Sequence, residues 1–173
     1  DGFASSNYTA GTLYNQNPTI TGFTGAWSGS TNVHAGDSTK ALTYSSITSD
    51  NTGGSYSLTN ITGRATRDFT TTFSNTTVYL SLMMQVDSAT TNNAYRAFEL
   101  RDSIGNRFFQ FGSEADTKST NWGMRLQTGA STYITNLTTV PTVANQTVFA
   151  VIKLVLTNGA GGDAATLWVN PSD

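Results

Sequence analysis

The chain has 173 residues, no cysteine, a formal net charge of −2 and 12 % charged residues, about half the usual charged share. That length suits one domain over 1–173 with a core that needs no disulfides, and the lack of a basic cluster argues against nucleic acid as a partner. No apolar run nears the ~18 residues of a membrane span, while a 37 % hydrophobic share set among Ser, Thr, Asn and Gly predicts an ordered, exported all-β protein.

Helix signals are nearly absent, and short alternating runs bounded by Gly, Asn, Asp and Ser predict strands. "KALTYSSI" (40–47) and "GSYSLTNI" (54–61) are the first, joined by the turn residues "NTGG", and "RDFTTTFS" (67–74) continues that meander. "TVYLSLMMQV" (77–86) places Val78, Leu80, Leu82, Met84 and Val86 on one face and Tyr79, Ser81, Met83 and Gln85 on the other. In "AYRAFELRD" (94–102), Phe98 and Leu100 face the core while Glu99 and Arg101 point away. A "DSIGN" hairpin turn leads to "NRFFQFG" (106–112), and "NWGMRLQT" (121–128) buries Trp122, Met124 and Leu126, leaving Arg125 and Gln127 outside. "TVFAVIKLVLT" (147–157) is the most apolar run, with Lys153 marking its outer face, and a "NGAGGD" loop leads into a last strand over 164–169. About nine or ten such strands, with turns every ~8–15 residues, predict a two-sheet antiparallel β-sandwich.

Chemistry-bearing residues are sparse. The single histidine, His34, falls in a Gly/Ser-rich loop, and with no cysteine beside it a zinc site or a Ser-His-Asp arrangement has no support. No other cofactor is implied, although Asp37, Asp87, Asp102, Asp116 and Asp163 lie in loop-like stretches and leave calcium open. Five Asn-x-Ser/Thr sequons, at Asn7, Asn60, Asn75, Asn136 and Asn145, are frequent by chance in so Thr-rich a chain. "RAFELR" (96–101) is similar to the Arg-x-Glu-x-Arg strand of jelly-roll alginate lyases, but the His and Tyr motifs that such chemistry needs are missing. Glu99 and Arg101 then read as an exposed ion pair on an outward strand face.

A concave outer face would carry a row of Gln85, Glu99, Arg101, Gln110, Arg125, Lys153 and Trp168. These are the candidate ligand-binding residues, a polar row with one aromatic that a pyranose ring can stack on. Trp122 shares its face with Met124 and Leu126 and reads as core; Trp27, in the loop-like "GFTGAWSGS", is either a core plug or a rim residue.

"DGFASSNYTAGTL" with "GFTGAWSGS", then "TTVYLSLMMQVD", "AFELRDSIGNRFFQFG" and "VFAVIKLVLTNGAGGDAATLWVNP", cover nearly the whole chain. In that order they resemble the laminin G-like, concanavalin A-like jelly-roll domains of exported bacterial surface proteins of planctomycete and verrucomicrobial type. The resemblance implies a jelly roll and carries over no catalytic residue. It also implies one more strand after the Asn170-Pro171 turn, pairing with the first; a domain without that strand would have an open sheet edge.

Three functional expectations follow. The first is a non-catalytic, secreted or cell-surface module that binds carbohydrate or another surface ligand. The second is a self-assembling subunit of an extracellular fibre or surface layer, its open edge completed by a neighbouring chain. The third is a polysaccharide-active enzyme, for which Glu99 is the clear carboxylate on a strand face and Glu114 falls in a loop.

Overall fold

The computed structural model describes residues 8–9, 11–29, 33–37, 42–44, 47–48, 55–58, 64–86, 96–113, 120–128, 132–158 and 162–172. Every described regular element is a β-strand, and every strand pairing is antiparallel. Among the described residues no helix is long and apolar enough to cross a membrane. The chain forms two compact units, Asp1–Thr72 and Phe73–Asp173.

The first unit holds β1 (Gly11–Thr12), β2 (Phe23–Gly29), β3 (Val33–Asp37), β4 (Thr43–Tyr44), β5 (Ile47–Thr48), β6 (Ser55–Leu58) and β7 (Ala65–Phe69). They pair as β1-β3-β6, β2-β7 and β4-β5. Three expectations change here. His34 lies in strand β3, opposite Thr12 and Ser57, and not in a loop. The run 40–47 is not one strand: its described part supplies β4 and the first residue of β5, which pair Thr43 with Thr48 and Tyr44 with Ile47. The supposed loop around Trp27 is strand β2, whose register slips between Thr24 and Ser28. Glycines disguise it: Gly25 and Gly29 take positive φ of 70° and 121°, which bends a strand that other residues would keep straight.

Trp27 is a core plug. It packs on the buried pair Tyr8 and Leu13, and its indole N–H donates to the Tyr8 hydroxyl at 3.2 Å. Gln16 ties the same region together, donating from Nε2 to the carbonyls of Thr9 and Thr12, both at 2.7 Å. Arg67 donates to the carbonyls of Gly25 and Pro18 and lies over the Phe23 ring, which stacks on Phe69 at 5.0 Å.

The second unit holds β8 (Thr76–Met84), β9 (Arg96–Arg101), β10 (Arg107–Ser113), β11 (Asn121–Gln127), β12 (Tyr133–Pro141), β13 (Val148–Leu156) and β14 (Ala164–Val169). One sheet has the order β12-β11-β10-β9 and the other β14-β13-β8. Their inner faces close on one core. The four-stranded sheet contributes Leu100, Phe109, Phe111, Trp122 and Leu126; the three-stranded sheet contributes Val148, Ala150, Ile152 and Leu154, with Val78, Leu80, Leu82 and Met84 packed against them. Two antiparallel sheets facing each other across a shared apolar layer make a β-sandwich. Phe111 and Trp122 stack at its centre, with ring centroids 5.6 Å apart.

Strand β12 has no counterpart among the expected strands. Its sequence, "YITNLTTVP", alternates only weakly, and its faces are half-exposed because it is a sheet edge. The expected runs over 77–86, 121–128, 147–157 and 164–169 correspond to β8, β11, β13 and β14 within two residues at each end.

Candidate functional site

The seven candidate residues do not form one row. Pairing of Gln110 with Glu99 and with Arg125 puts these three on the outer face of the four-stranded sheet, with Arg101 two residues along β9. Lys153 and Trp168 lie on the outer face of the three-stranded sheet, where Lys153 pairs with Tyr79 and Thr166, and Trp168 with Val151. Gln85 follows β8 and donates from Nε2 to the Asn145 carbonyl at 2.8 Å, bracing the turn before β13. Side-chain parity along each strand is legible from sequence, but the assignment of strands to two sheets is not, and the expected row joins residues that lie on opposite sides of the sandwich.

The four-stranded face is a closed polar cluster. Glu99 accepts from Arg101 Nη2 at 2.7 Å, from Gln110 Nε2 at 2.8 Å and from Arg107 Nη1 at 3.5 Å. Two expectations are corrected here. The Glu99–Arg101 pair is not exposed, since the two side chains retain only 15 % and 25 % of their accessible surface. Gln110 is no part of an exposed row, being only 3 % accessible. The alternation of apolar and polar residues does not register such burial of an outer-face side chain. Burial alone would raise the Glu99 carboxyl, but the Gln110 and Arg101 hydrogen bonds and the charges of Arg101 and Arg107 outweigh it and hold the group below its ordinary value. Arg101 also donates to the Gly105 carbonyl at 2.6 Å, anchoring the hairpin turn. Arg125 lies over the Tyr133 ring at 4.4 Å, a cation–π contact supplied by the unforeseen strand β12.

The three-stranded face is open. Tyr79 keeps 64 % and Trp168 43 % of its accessible surface. Tyr79 is on β8 and Trp168 on β14, with Lys153 and Val151 of β13 between them. Strand spacing and residue rise place the two aromatic positions roughly 12 Å apart on one surface. Ser81 and Thr166 supply hydroxyls on the same face. Tyr79 joins this face in addition to the expected residues, and its place in the alternation, opposite Val78 and Leu80, is the sequence signal for an outward ring.

Of the aspartates that left calcium open, Asp37 lies in β3, and Asp87 and Asp116 lie outside the described residues, as does Glu114. Asp102 accepts from the backbone N–H groups of Ile104 and Asn106 and closes the β9–β10 turn. Asp163 Oδ1 accepts from the Thr157 N–H at 2.8 Å at the mouth of the β13–β14 hairpin. Among the described residues no three His, Cys, Asp or Glu side chains gather as a metal site.

A groove of roughly 470 Å³ runs between Asn136–Val140 of β12 and Leu167–Val169 of β14, with Met124 and Pro171 also lining it. No protein-family model, curated protein or solved structure matches this chain.

Proposed function

We propose that this chain is a non-catalytic, secreted or cell-surface module that binds carbohydrate through the outer face of its three-stranded sheet. The observation that carries the reading is the pair of exposed rings, Tyr79 and Trp168, set about Lys153 on one rigid antiparallel surface. A pyranose presents an apolar C–H face that stacks on an aromatic ring, while its hydroxyls take hydrogen bonds from Lys, Ser and Thr. The resemblance of the strand and turn sequences to laminin G-like jelly rolls supports the same reading and an extracellular location.

Glu99, the carboxylate on the opposite sheet face, is held below its ordinary pKa by its three donors and so is not the protonated acid that a glycosidase also requires.

A glycan array followed by calorimetry on the retained polysaccharides tests the proposal. Binding that falls at least about tenfold in both Trp168→Ala and Tyr79→Ala supports it, since a stacked ring contributes on the order of 1 kcal/mol or more. Absence of binding to any glycan, with and without calcium, overturns it.

A further inference from the structure

Building on the carbohydrate reading, we infer that the glycan taken by the outer face of the three-stranded sheet is anionic, and that Lys153 receives a carboxylate or sulfate ester carried by the stretch of sugar chain between the two aromatic rings.

The register fixes what shares this face. Lys153 of β13 pairs with Tyr79 of β8 on one side and with Thr166 of β14 on the other. Val151, two residues along β13, pairs with Ser81 and Trp168. The line from Tyr79 to Trp168 therefore crosses β13 between Lys153 and Val151. Roughly 12 Å separates the two aromatic positions, more than the width of one pyranose, so the rings stack on different sugars of one chain. The stretch between those sugars passes over Lys153.

Charge on this face has a single sign. Its other outward positions are apolar or carry hydroxyls, as at Met83, Val155, Ser81 and Thr166, and among the described residues none is a carboxylate. Asp163, at the β13–β14 hairpin, is engaged by the N–H and the hydroxyl of Thr157. Lys153 also differs from the arginines. Glu99 holds Arg101 and Arg107, the carbonyls of Gly25 and Pro18 hold Arg67, and Arg125 lies over the Tyr133 ring. Among the described residues no carboxylate lies within ion-pair reach of Lys153.

The class of ligand follows from that isolation. An ammonium set among aromatic and aliphatic side chains meets less competing water than one on a polar surface, so it attracts an anion more strongly. Lysine presents three donors on one compact charge, which suits a planar carboxylate and a tetrahedral sulfate alike. A neutral glycan lying across the face would cover that charge without pairing it, which costs binding energy.

Calorimetry on the full chain with two matched pairs of polysaccharides tests this. One pair is polygalacturonate and its methyl ester, which reads a carboxylate; the other is a sulfated galactan and the same galactan desulfated, which reads a sulfate. In at least one pair the charged member is expected to bind about tenfold or more tighter than the neutral one, as one hydrogen bond to a charged group allows. Added salt should narrow that ratio. Lys153→Met and Lys153→Gln should each bring it close to one, and Lys153→Arg should keep most of it. Equal affinity for charged and neutral members in both pairs, or a ratio that survives Lys153→Met and Lys153→Gln, overturns the inference and leaves the carbohydrate reading standing. So does failure of all four polysaccharides to bind a chain that retains neutral glycans. A chain that binds no glycan of any kind overturns the carbohydrate reading itself.

Discussion

The side-chain amide of Gln110 donates to the carboxylate of Glu99 at 2.8 Å across adjacent strands, and it does so almost wholly out of reach of solvent. This contact joins the centre of the four-stranded sheet to the Arg101 and Arg107 guanidiniums. It helps turn a strand face that alternation alone would leave in water into a partly buried polar layer, although Gln110 Oε1 and Arg101 Nε find no hydrogen-bond partner among the described residues.

Removing that charge has a predictable effect. Glu99→Gln is expected to lower stability by about 1–3 kcal/mol, the usual range for hydrogen bonds to a charged group. The folded carboxyl lies below its ordinary value of 4.5. Its contribution is therefore complete above the unfolded pKa and drains away as pH falls through the lower folded value. Urea unfolding midpoints measured from pH 7 down to pH 3 should fall more steeply in the parent protein than in Glu99→Gln. Parallel curves would show that Glu99 does not couple to folding.

The stacked pair in the core sets a second expectation. Trp122 is fully buried against Phe111, and Trp122→Ala should cost about 3–5 kcal/mol. Its indole N–H finds no acceptor among the described residues. Trp122→Phe removes that unsatisfied donor while keeping a stacking ring, so its cost should be well under half as large. Chemical denaturation of the two variants side by side checks the ratio.

A third prediction concerns the turn after β14. Asn170 takes a φ of 51°, its N–H donates to the Phe149 carbonyl, and its side-chain oxygen accepts the Phe149 N–H at 3.0 Å. Asparagine tolerates this left-handed conformation and closes the hairpin end with its own side chain. Asn170→Ala should cost about 1–3 kcal/mol, combining backbone strain with the lost acceptor. Asn170→Gly relieves the strain alone and should be milder. Equal melting temperatures for both variants would separate the turn from hairpin stability.

Gly112 provides a fourth. It is buried between β9 and β11, and a methyl group there would run into the Arg96 carbonyl oxygen and Ala97 on the paired strand. Gly112→Ala should destabilise the second unit by about 2 kcal/mol or more, because a paired backbone cannot give way as a flexible side chain can. Faster amide exchange across β9 and β10 would locate the damage.

Much of the second unit is legible in its sequence. Residues 77–86, 147–157 and 164–169 alternate so regularly that β8, β13 and β14, and the inward faces of Leu82, Ile152 and Leu167, follow from a period of two. Burial of Trp122 and the outward turn of Trp168 follow from the same parity. Where periodicity is weak the reading stops: β12 is a half-exposed edge with blurred alternation, and β2 is bent by glycines that also mark loops. Parity says which residues of a strand share a face, and nothing in it says which sheet that strand joins. Pairing across the chain decided that Glu99, Gln110 and Arg125 meet on one side of the sandwich, that Lys153 and Trp168 lie on the other with Tyr79, and that β14 stands against β11. Those are long-range hydrogen-bond registers, set by how two sheets close on a common core rather than by any local run of residues.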